Sequence, residues 1–395
     1  MKIGLLTHSV LPRGGVVHVL ELGRALLAQG HDVTVFAPVV AGQLLFRETP
    51  CRLSLALHAP RGEALVEVVR SRIDAMRSHL AAQPDLDRFD VLHAHDGIGA
   101  NALADLVEAG RIPGYLRTVH HVDRFADAQV QAWEERSIRV ATRVLAVSAL
   151  WRQRLLAEFG IEAVQVSNGV DLDRYAPIVD ASDAELAQRL DLGPRGARVL
   201  AVGGIEARKN TRRLLAAFVA LHRQRPHARL IVAGGASLLS HEAEAMAFRE
   251  AAAAAGLAVG PGQAIVTTGP LPDVLMPALY RAADVVAMPS LVEGFGLAAL
   301  EGLACGTPAV VSSLAPFTEH FAPSDVSWAE PLEPASIADA LSRALQRGRH
   351  TEPPAVCRRF SWAASAARHA DAYRDFIDTT GGPHARHALP AALAG

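Results

Sequence analysis

The sequence predicts an α/β protein of two domains, each built on a doubly wound parallel sheet. The chain has 395 residues, and single hydrophobic cores stop growing at roughly 250 to 300 residues. The order strand, glycine-containing loop, helix, strand occurs over residues 2–37 and again over residues 198–233. This order is typical of a parallel βαβ unit with a right-handed crossover. Each half is therefore expected to be Rossmann-like.

In the first half, the pattern predicts a strand over residues 2–7, a loop over 9–16, a helix over 17–29 and a strand over 32–37. Apolar residues recur at helical spacing in the predicted helix. Gly30 can adopt the left-handed conformation that ends a helix.

In the second half, the corresponding segments are a strand over 198–202, a loop over 203–211, a helix over 212–222 and a strand over 228–233. Further short runs rich in Val, Ile and Leu have the composition of buried parallel strands. These runs cover residues 91–93, 116–119, 144–147, 265–268, 285–288 and 309–312.

Turn-forming and polar residues interrupt this rhythm between residues 168 and 194. The domain boundary is therefore predicted near residue 176, giving domains over 1–175 and 176–360. Residues 381–395 are small and polar, and we expect a loose tail there.

Composition excludes several classes of function. The formal net charge is -2, which provides no basic field for nucleic acid. No apolar run reaches the roughly 18 to 20 residues of a membrane span, so any membrane contact is expected to be peripheral. The N-terminus resembles a strand more than a signal peptide. The cysteines, Cys51, Cys305 and Cys357, lack metal-ligand spacing, so we expect a reducing, cytoplasmic location.

Two carboxylates flank a predicted helix start in the second half. Glu293 and Glu301 enclose a segment that contains Gly294, Phe295, Gly296 and Leu297. Glycines let a ligand approach the backbone, and the N–H groups and dipole at a helix start favour phosphate. The alternative is a glycine-containing turn with two solvated glutamates.

A cationic pair follows the first strand of the same half. Arg208 and Lys209 lie in a loop that begins at Gly203. A fixed cation stabilises the charge that accumulates on a leaving diphosphate. The alternative is two solvated cations at a helix start, where the dipole disfavours them slightly.

In the first half, histidines gather at the predicted carboxyl ends of strands, the edge where open α/β sheets bind ligands. They are His8, His93, His95, His120 and His121. A zinc site is one alternative, but the chain has no HExxH motif or cysteine pair, and we expect no metal. Asp171-Leu172-Asp173 superficially fits a metal-binding DxD motif, but a solvated loop is the preferred interpretation.

Taken in order, these motifs resemble the retaining family 4 glycosyltransferases of GT-B fold. Residues 289–301 match the family's Pro-Ser-x-x-Glu-Gly-Phe-Gly segment and its glutamate pair throughout, and 306–308 also match. Asn168-Gly169-Val170-Asp171 is similar to a segment before the family's hinge. The resemblance covers about residues 1–380. It implies two Rossmann-like domains that face each other across a cleft. It also implies a metal-independent transfer of a sugar from a nucleotide-diphosphate-sugar, with retention of the anomeric configuration and without another cofactor.

The resemblance also implies roles for individual residues. Glu301 would bind the ribose hydroxyls, and Glu293 the hydroxyls of the transferred sugar. Many members carry an arginine where this chain has Gly204, and Arg208 is the expected substitute. His120 would face the scissile bond, with His121 as the competing register. The implied catalytic set is His120, Lys209, Arg208 and Glu293. The implied donor set is Gly14, Gly15, Gly203, Arg208, Lys209, Glu293, Gly294, Phe295, Gly296, Leu297 and Glu301.

The family's architecture implies that residues 1–175 form the acceptor side and residues 176–360 hold the nucleotide-sugar. A helix over about 361–380 would pack back on the first domain. The least specific of these assignments concerns contacts with the acceptor, for which the candidates are His8, His93, His95 and His121. The acceptor itself, whether small molecule, glycan or lipid-linked, is not encoded by a recognisable pattern.

Three rival functions stay open at this point. A nucleotide-sugar epimerase or hydrolase uses the same architecture. A catalytically silent nucleotide-sugar-binding subunit fits the missing arginine. A nicotinamide-dependent oxidoreductase also has Rossmann-like units, but GxGxxG is absent after the first strand.

Overall fold

A computed structural model describes residues 1–59, 62–192, 196–235 and 241–381. The chain divides into two compact units, which we describe separately. Unit 1 comprises Met1–Ser167 and Trp362–Gly395, and unit 2 comprises Asn168–Ser361. The division thus falls after Ser167, whereas the sequence analysis placed it near residue 176. The predicted tail, apart from Gly381, and residues 193 and 194 of the predicted hinge lie outside the described residues.

Within the described residues, each unit holds one parallel sheet. The strands of unit 1 are β1 (Lys2–Leu6), β2 (Asp32–Val39), β3 (Arg52–Leu57), β4 (Val91–Ala94), β5 (Leu116–Val119), β6 (Arg143–Ala146) and β7 (Val164–Gln165). Those of unit 2 are β8 (Arg198–Val202), β9 (Arg229–Ala233), β10 (Ile265–Gly269), β11 (Val285–Met288), β12 (Ala309–Ser312) and β13 (Ser327–Ala329).

Helices alternate with the strands. Unit 1 begins with α1 (Gly14–Ala28), α2 (Leu65–Ala81), α3 (Gly97–Glu108), α4 (Ala128–Arg139) and α5 (Ala149–Phe159). Unit 2 contains α6 (Ala181–Leu190), α7 (Thr211–Gln224), α8 (Glu242–Ala254), α9 (Met276–Ala282), α10 (Leu297–Ala304), α11 (Phe317–His320), α12 (Pro334–Arg347) and α13 (Ala355–Arg359). The last helix, α14 (Trp362–Thr380), belongs to unit 1.

Both sheets reverse their strand order near the middle. Unit 1 has the order β3-β2-β1-β4-β5-β6-β7, and unit 2 has β10-β9-β8-β11-β12-β13. In open α/β sheets, ligands bind beyond the carboxyl ends of the strands where the order reverses. By this rule, ligands are expected to bind at the loops after β1 and β4 in unit 1, and at those after β8 and β11 in unit 2.

Helix α14 is tied to the rest of unit 1 by polar contacts along its length. Gln29 donates from Nε2 to the carbonyl of Ala363 over 3.0 Å. The Ser365 hydroxyl donates to the carbonyl of Ser167. Farther along α14, the Tyr373 hydroxyl lies 2.8 Å from Nδ1 of His93. The helix is thus an integral part of the core of unit 1.

Three features differ from the sequence prediction. Helix α1 begins at Gly14, so the two glycines predicted in a loop form its first turn. The prediction omitted the strands β3, β7 and β13, which all lie at sheet edges, and β3 is half-exposed. It also omitted α6, which begins inside the predicted hinge at a capping box formed by Asp180 and Asp183. Such a box stabilises a helix start locally, whatever turn-forming residues surround it.

Candidate active site

The predicted cation and carboxylate of unit 2 form an ion pair. Strands β8 and β11 are neighbours, and the loops that follow them meet at the carboxyl edge of the sheet. Lys209 Nζ donates to Oε2 of Glu293 over 2.6 Å. Only 14% of the lysine side chain and 13% of the glutamate side chain are exposed. Two residues 84 positions apart in sequence are therefore joined at the topological switch point.

Backbone and amide contacts fix the two loops to each other. The carbonyl of Arg208 accepts from the backbone N–H of Leu291 over 2.8 Å. Asn210 donates from Nδ2 to the carbonyls of Pro289, over 2.9 Å, and Pro331, over 2.6 Å. Asn210 has φ 61°, a conformation that asparagine tolerates better than most residues. These bonds hold the ion pair in place without relying on its own charge.

Glu293 is ionised in this environment. Burial by itself raises its pKa, but Lys209 and Arg208 and the hydrogen bonds from Lys209 and Gly294 outweigh it, so the net pKa lies below the usual value. Gly294 donates its backbone N–H to Oε1 over 3.2 Å. The carboxylate is thus held in the charged form by cations that could also bind a ligand anion.

Helix α10 begins beside this pair. Gly296 is its N-cap with φ 98°, and an added Cβ would lie 2.6 Å from the Phe317 ring. Only glycine fits there. The first N–H groups of a helix have no acceptor within it and favour anions. The Phe295 ring packs against His320 with a centroid distance of 4.1 Å, so Phe295 can offer a ligand its backbone but its side chain belongs to the core.

The glycine at position 204 is required by the local packing. Gly204 has φ 81°, and a Cβ there would lie 3.0 Å from the backbone of Gly235. An arginine cannot occupy this position without moving that backbone. At the neighbouring Gly203, a Cβ would lie 2.9 Å from Cε of Lys209. Arg208 pairs with Glu206 at 2.9 Å, on the same loop as Lys209.

The second carboxylate of the predicted motif has a separate partner. The buried Tyr280 hydroxyl donates to Oε2 of Glu301 over 2.6 Å. Burial, followed by the charge of Glu301, raises the pKa of Tyr280 well above its usual value. The tyrosine therefore acts as a hydrogen-bond donor that fixes the orientation of the carboxylate.

In unit 1, a group of cations surrounds the end of β1. His8 Nδ1 lies 3.8 Å from Oδ2 of Asp96, which follows β4. Burial, followed by the charges of Arg13, Arg72 and Arg117, lowers the pKa of His8 to about 3. Gly14 is open to solvent at the start of α1, with nothing within 4 Å of an added Cβ. At this edge of the sheet, three guanidinium groups and the Asp96 carboxyl therefore surround a neutral imidazole.

His93 occupies a structural position. Its Nε2 lies 2.8 Å from the Thr118 hydroxyl, and its Nδ1 lies 2.8 Å from the Tyr373 hydroxyl. The residue is fully buried. Because both ring nitrogens are engaged inside unit 1, the geometry favours the structural role over the acceptor-side role for His93.

The other predicted histidines separate into two groups. His121 turns outward, and its Nε2 lies 3.2 Å from Oδ2 of Asp123. His95 and His120 turn inward and meet His18 from α1, with one ring nitrogen from each lying within 4.8 Å of the others. Burial is the first cause that lowers the pKa values of His95 and His120 well below the usual value. The side chains at positions 120 and 121 thus have different neighbours, His18 and His95 for the first and Asp123 for the second.

Several residues of these sites were missed in the sequence. His18 was treated as part of the helix start, although it continues the buried i, i+4 series of Leu22 and Leu26. Arg117 lies in a strand predicted to be apolar and is buried. Tyr280 has no local signal, since its partner Glu301 is 21 residues away. Only the fold brings these side chains to the candidate sites.

Solved structures with the same architecture define the class of fold. Sucrose-phosphate synthase from Thermosynechococcus elongatus aligns with a TM-score of 0.72 and 21% identity, covering 96% of this chain and 100% of the other. Anabaena HepE, in complex with UDP and glucose, aligns with a TM-score of 0.72 and 16% identity, covering 95% and 99%. These likenesses show a GT-B fold of two Rossmann-like domains.

Sequence comparison gives the family. The model for "Glycosyltransferase Family 4" matches residues 12–174, and the model for "Glycosyl transferases group 1" matches residues 183–359. The chain belongs to the family 4 glycosyltransferases, group 1, as the motif at residues 289–301 indicates.

Two similar relatives are named D-inositol 3-phosphate glycosyltransferase. The one from Frankia alni is 29% identical, covering 96% of this chain and 96% of the relative. The one from Salinispora tropica is 28% identical, covering 95% and 82%. An uncharacterized glycosyltransferase of Methanocaldococcus jannaschii is 25% identical, covering 87% and 89%. None of the helices in the described part of the chain is both long and apolar enough to cross a membrane.

Proposed function

We propose that this glycosyltransferase moves a sugar from a nucleotide-diphosphate-sugar to an acceptor hydroxyl, with retention of configuration and without a metal ion in the transfer step. The observation that carries the proposal is the buried pair of Lys209 and Glu293 beside the start of α10. A cation, a helix N-terminus and a carboxylate adjoin one another, as a sugar diphosphate requires. The nicotinamide-dependent oxidoreductase is set aside, because the chain belongs to a glycosyltransferase family.

Unit 2 supplies the proposed donor site. The pyrophosphate would lie at the N–H groups that begin α10, approached through Gly294 and Gly296, with Lys209 and Arg208 beside it. Glu293 would accept hydrogen bonds from hydroxyls of the transferred sugar. Glu301, oriented by Tyr280 over 2.6 Å, would accept from the ribose hydroxyls.

The proposed step exchanges one bond to the anomeric carbon for another on the same face. The bond between this carbon and the diphosphate oxygen breaks, and its electron pair stays on the diphosphate. The acceptor oxygen then bonds to the carbon, and its proton passes to the departing phosphate oxygen. Lys209 stabilises the charge that develops on the leaving group, so it binds the transition state more strongly than the ground state. His120 remains the predicted contact of the transferred sugar.

Cationic side chains and a helix start replace a metal ion in this proposal. Both neutralise the diphosphate directly and need no further cofactor. We also propose a cytoplasmic location, which is supported by three buried, free thiols at Cys51, Cys305 and Cys357.

We further propose that the acceptor carries an anionic group, such as a phosphate, which binds in unit 1. Burial and then the charge of Arg72 lower the pKa of Arg13 to about 10, which indicates cations held close together. An acceptor anion there would relieve their repulsion and would also meet the start of α1 at Gly14 and Gly15. The relatives' name, D-inositol 3-phosphate glycosyltransferase, points to a phosphorylated polyol as the first acceptor to test.

The proposal is tested by donor binding followed by transfer. UDP-, GDP- and ADP-sugars are screened by thermal shift, because a ligand that binds only the folded state raises its stability. Transfer from the best donor to inositol phosphates and to unphosphorylated inositol is then measured, and NMR of the product gives the anomeric configuration. We expect one donor class, phosphate-dependent transfer, retention, and full activity in the presence of EDTA.

Matched variants assign the result to the site. Lys209→Ala should lower the rate of transfer by ~10²–10³-fold, whereas Arg212→Ala, which removes a cation 56% exposed on the next helix, should leave it unchanged. Glu293→Gln should lose transfer, whereas Glu250→Gln on the exposed face of α8 should not. Rapid donor breakdown without acceptor would favour the epimerase or hydrolase. Donor binding without any turnover would favour the silent subunit, and an inverted product would refute retention.

A further inference from the structure

Three imidazoles from separate elements meet in the interior of unit 1. His18 lies in the second turn of α1, His95 follows β4 and His120 follows β5. The ring centroids of His18 lie 4.9 Å from His95 and 4.6 Å from His120, and those of His95 and His120 are 5.8 Å apart. The three elements converge only in the folded unit, because His18 and His95 are 77 positions apart in the sequence.

Two of these rings present nitrogens that the described residues do not satisfy. Both Nδ1 and Nε2 of His95, and Nε2 of His120, are buried without a hydrogen-bond partner in the described part of the chain. Buried polar atoms normally have a partner in the protein, ordered water or a bound ion. The neighbouring His93 shows the ordinary arrangement, with both ring nitrogens hydrogen-bonded. Both ring nitrogens of His95 and Nε2 of His120 are therefore available to ordered water or to a bound ion.

We propose that His18, His95 and His120 form a binding site for a borderline transition-metal ion, Zn²⁺ above all. One ring nitrogen of each residue lies within 4.8 Å of the other two. Tetrahedral coordination with Zn–N bonds of about 2.0–2.1 Å brings ligand nitrogens to roughly 3.3 Å from one another. Small rotations of the imidazole rings bring the nitrogens from within 4.8 Å of one another to this shorter distance. Three uncharged imidazoles also select Zn²⁺ over Mg²⁺ or Ca²⁺, which prefer oxygen ligands.

The site differs from a closed structural zinc centre. It offers three protein ligands, and the fourth position is left for water or another ligand. His120 is the half-buried member of the three, whereas His18 and His95 are buried. The open position therefore lies on the outer side of the cluster.

Metal binding has a consequence that rests on the proposed function. If His120 contacts the transferred sugar, a bound Zn²⁺ takes up its lone pair and removes that contact. Zn²⁺ would then inhibit transfer, while transfer itself needs no metal. The sequence alone favoured no metal here, because it does not reveal that α1 contributes His18.

Metal binding is tested without any sugar substrate, so its failure is distinguishable from failure of the proposed function. The full-length protein is stripped with a chelator and titrated with Zn²⁺ by calorimetry, and with Co²⁺ by visible absorption. We expect one saturable site per chain and the intense visible bands of Co²⁺ in tetrahedral or five-coordinate geometry. His18→Phe and His95→Gln should each lose at least about tenfold in affinity.

The matched control is His31→Gln, which replaces a half-buried histidine at the opposite end of the sheet in unit 1. This variant should bind both metals like the wild type. Circular dichroism and thermal melting establish that each variant is folded. If His18→Phe does not fold, His95→Gln alone tests the site. The proposal is overturned if no saturable site is found, or if the folded triad variants bind as tightly as the wild type. A loss of Co²⁺ affinity in His31→Gln equal to that in the triad variants also overturns it.

Discussion

The ammonium group of Lys209 lies 2.6 Å from Oε2 of Glu293, and it joins the loop after β8 to the loop after β11. Both side chains are largely buried. A buried pair contributes little net stability against an apolar replacement, but removing one partner leaves an uncompensated charge. The pair therefore couples the integrity of unit 2 to the proposed chemistry, and a double-mutant cycle separates the two effects.

We expect Lys209→Met to lower kcat by ~10²–10³-fold, because it removes a fixed charge at the leaving group. The same change should lower the free energy of unfolding by about 3–5 kcal/mol, since Glu293 is left buried without its partner. Adding Glu293→Gln should recover part of the stability and none of the activity. Urea unfolding and steady-state kinetics measure both. Recovery of activity in the double variant would show that the lysine only neutralises the glutamate.

Tyr280→Phe tests the orientation of Glu301. The hydroxyl donates to the carboxylate over 2.6 Å, and hydrogen bonds to charged groups contribute about 1.5–3 kcal/mol. We expect the KM for the donor to rise about tenfold or more, with a smaller change in kcat, because the ribose contact is remote from the broken bond. A drop in kcat with unchanged KM would contradict this positioning role.

Gly204→Ala should destabilise unit 2. The residue has φ 81°, and a Cβ would lie 3.0 Å from Gly235. A left-handed conformation costs a residue with a Cβ about 1–2 kcal/mol before any collision is counted. Gly204→Arg, which restores the family's arginine, should therefore reduce stability without raising transfer. Thermal melting and activity assays check both variants, and a stable, faster Gly204→Arg enzyme would show that the backbone adapts.

Acidification should destabilise unit 1 below about pH 6.5. A buried imidazole whose pKa is lowered binds its proton more readily in the unfolded chain, so stability is complete above the unfolded pKa and falls as the pH falls through it. Burial lowers the pKa of His8 to about 3 and of His369 to about 4, and those of His93, His95 and His120 well below the usual value.

Each such histidine contributes a slope of at most about 1.4 kcal/mol per pH unit. Burial raises the pKa values of Asp96 and Glu134, which acts in the opposite sense, but two carboxyls do not cancel five imidazoles. The urea midpoint should therefore be lower at about pH 5.5 than at about pH 7.5, and His8→Gln should lessen the difference. Equal midpoints at the two pH values would count against neutral, buried histidines.

Much of the fold was accessible from local patterns. β5, β11 and β12 have the predicted bounds, because short apolar runs between helical segments describe buried parallel strands well. Edge strands such as β3 were missed, since half-exposed residues carry a weaker pattern. Helix α6 was missed because the turn-forming residues around its capping box indicated a loop. The functional roles of the predicted site residues, the retaining stereochemistry and the absence of a catalytic metal remain predictions.

The sequence by itself determined the family, the two Rossmann-like folds and the motif that places Glu293 before a helix and Glu301 within it, because these depend on residues close together in the chain. Only the tertiary structure decided that Lys209 pairs with Glu293, that Gly204 has no room for an arginine, and that His18 joins His95 and His120. These relationships depend on which strands lie side by side, and the reversal of strand order brings distant loops to one edge.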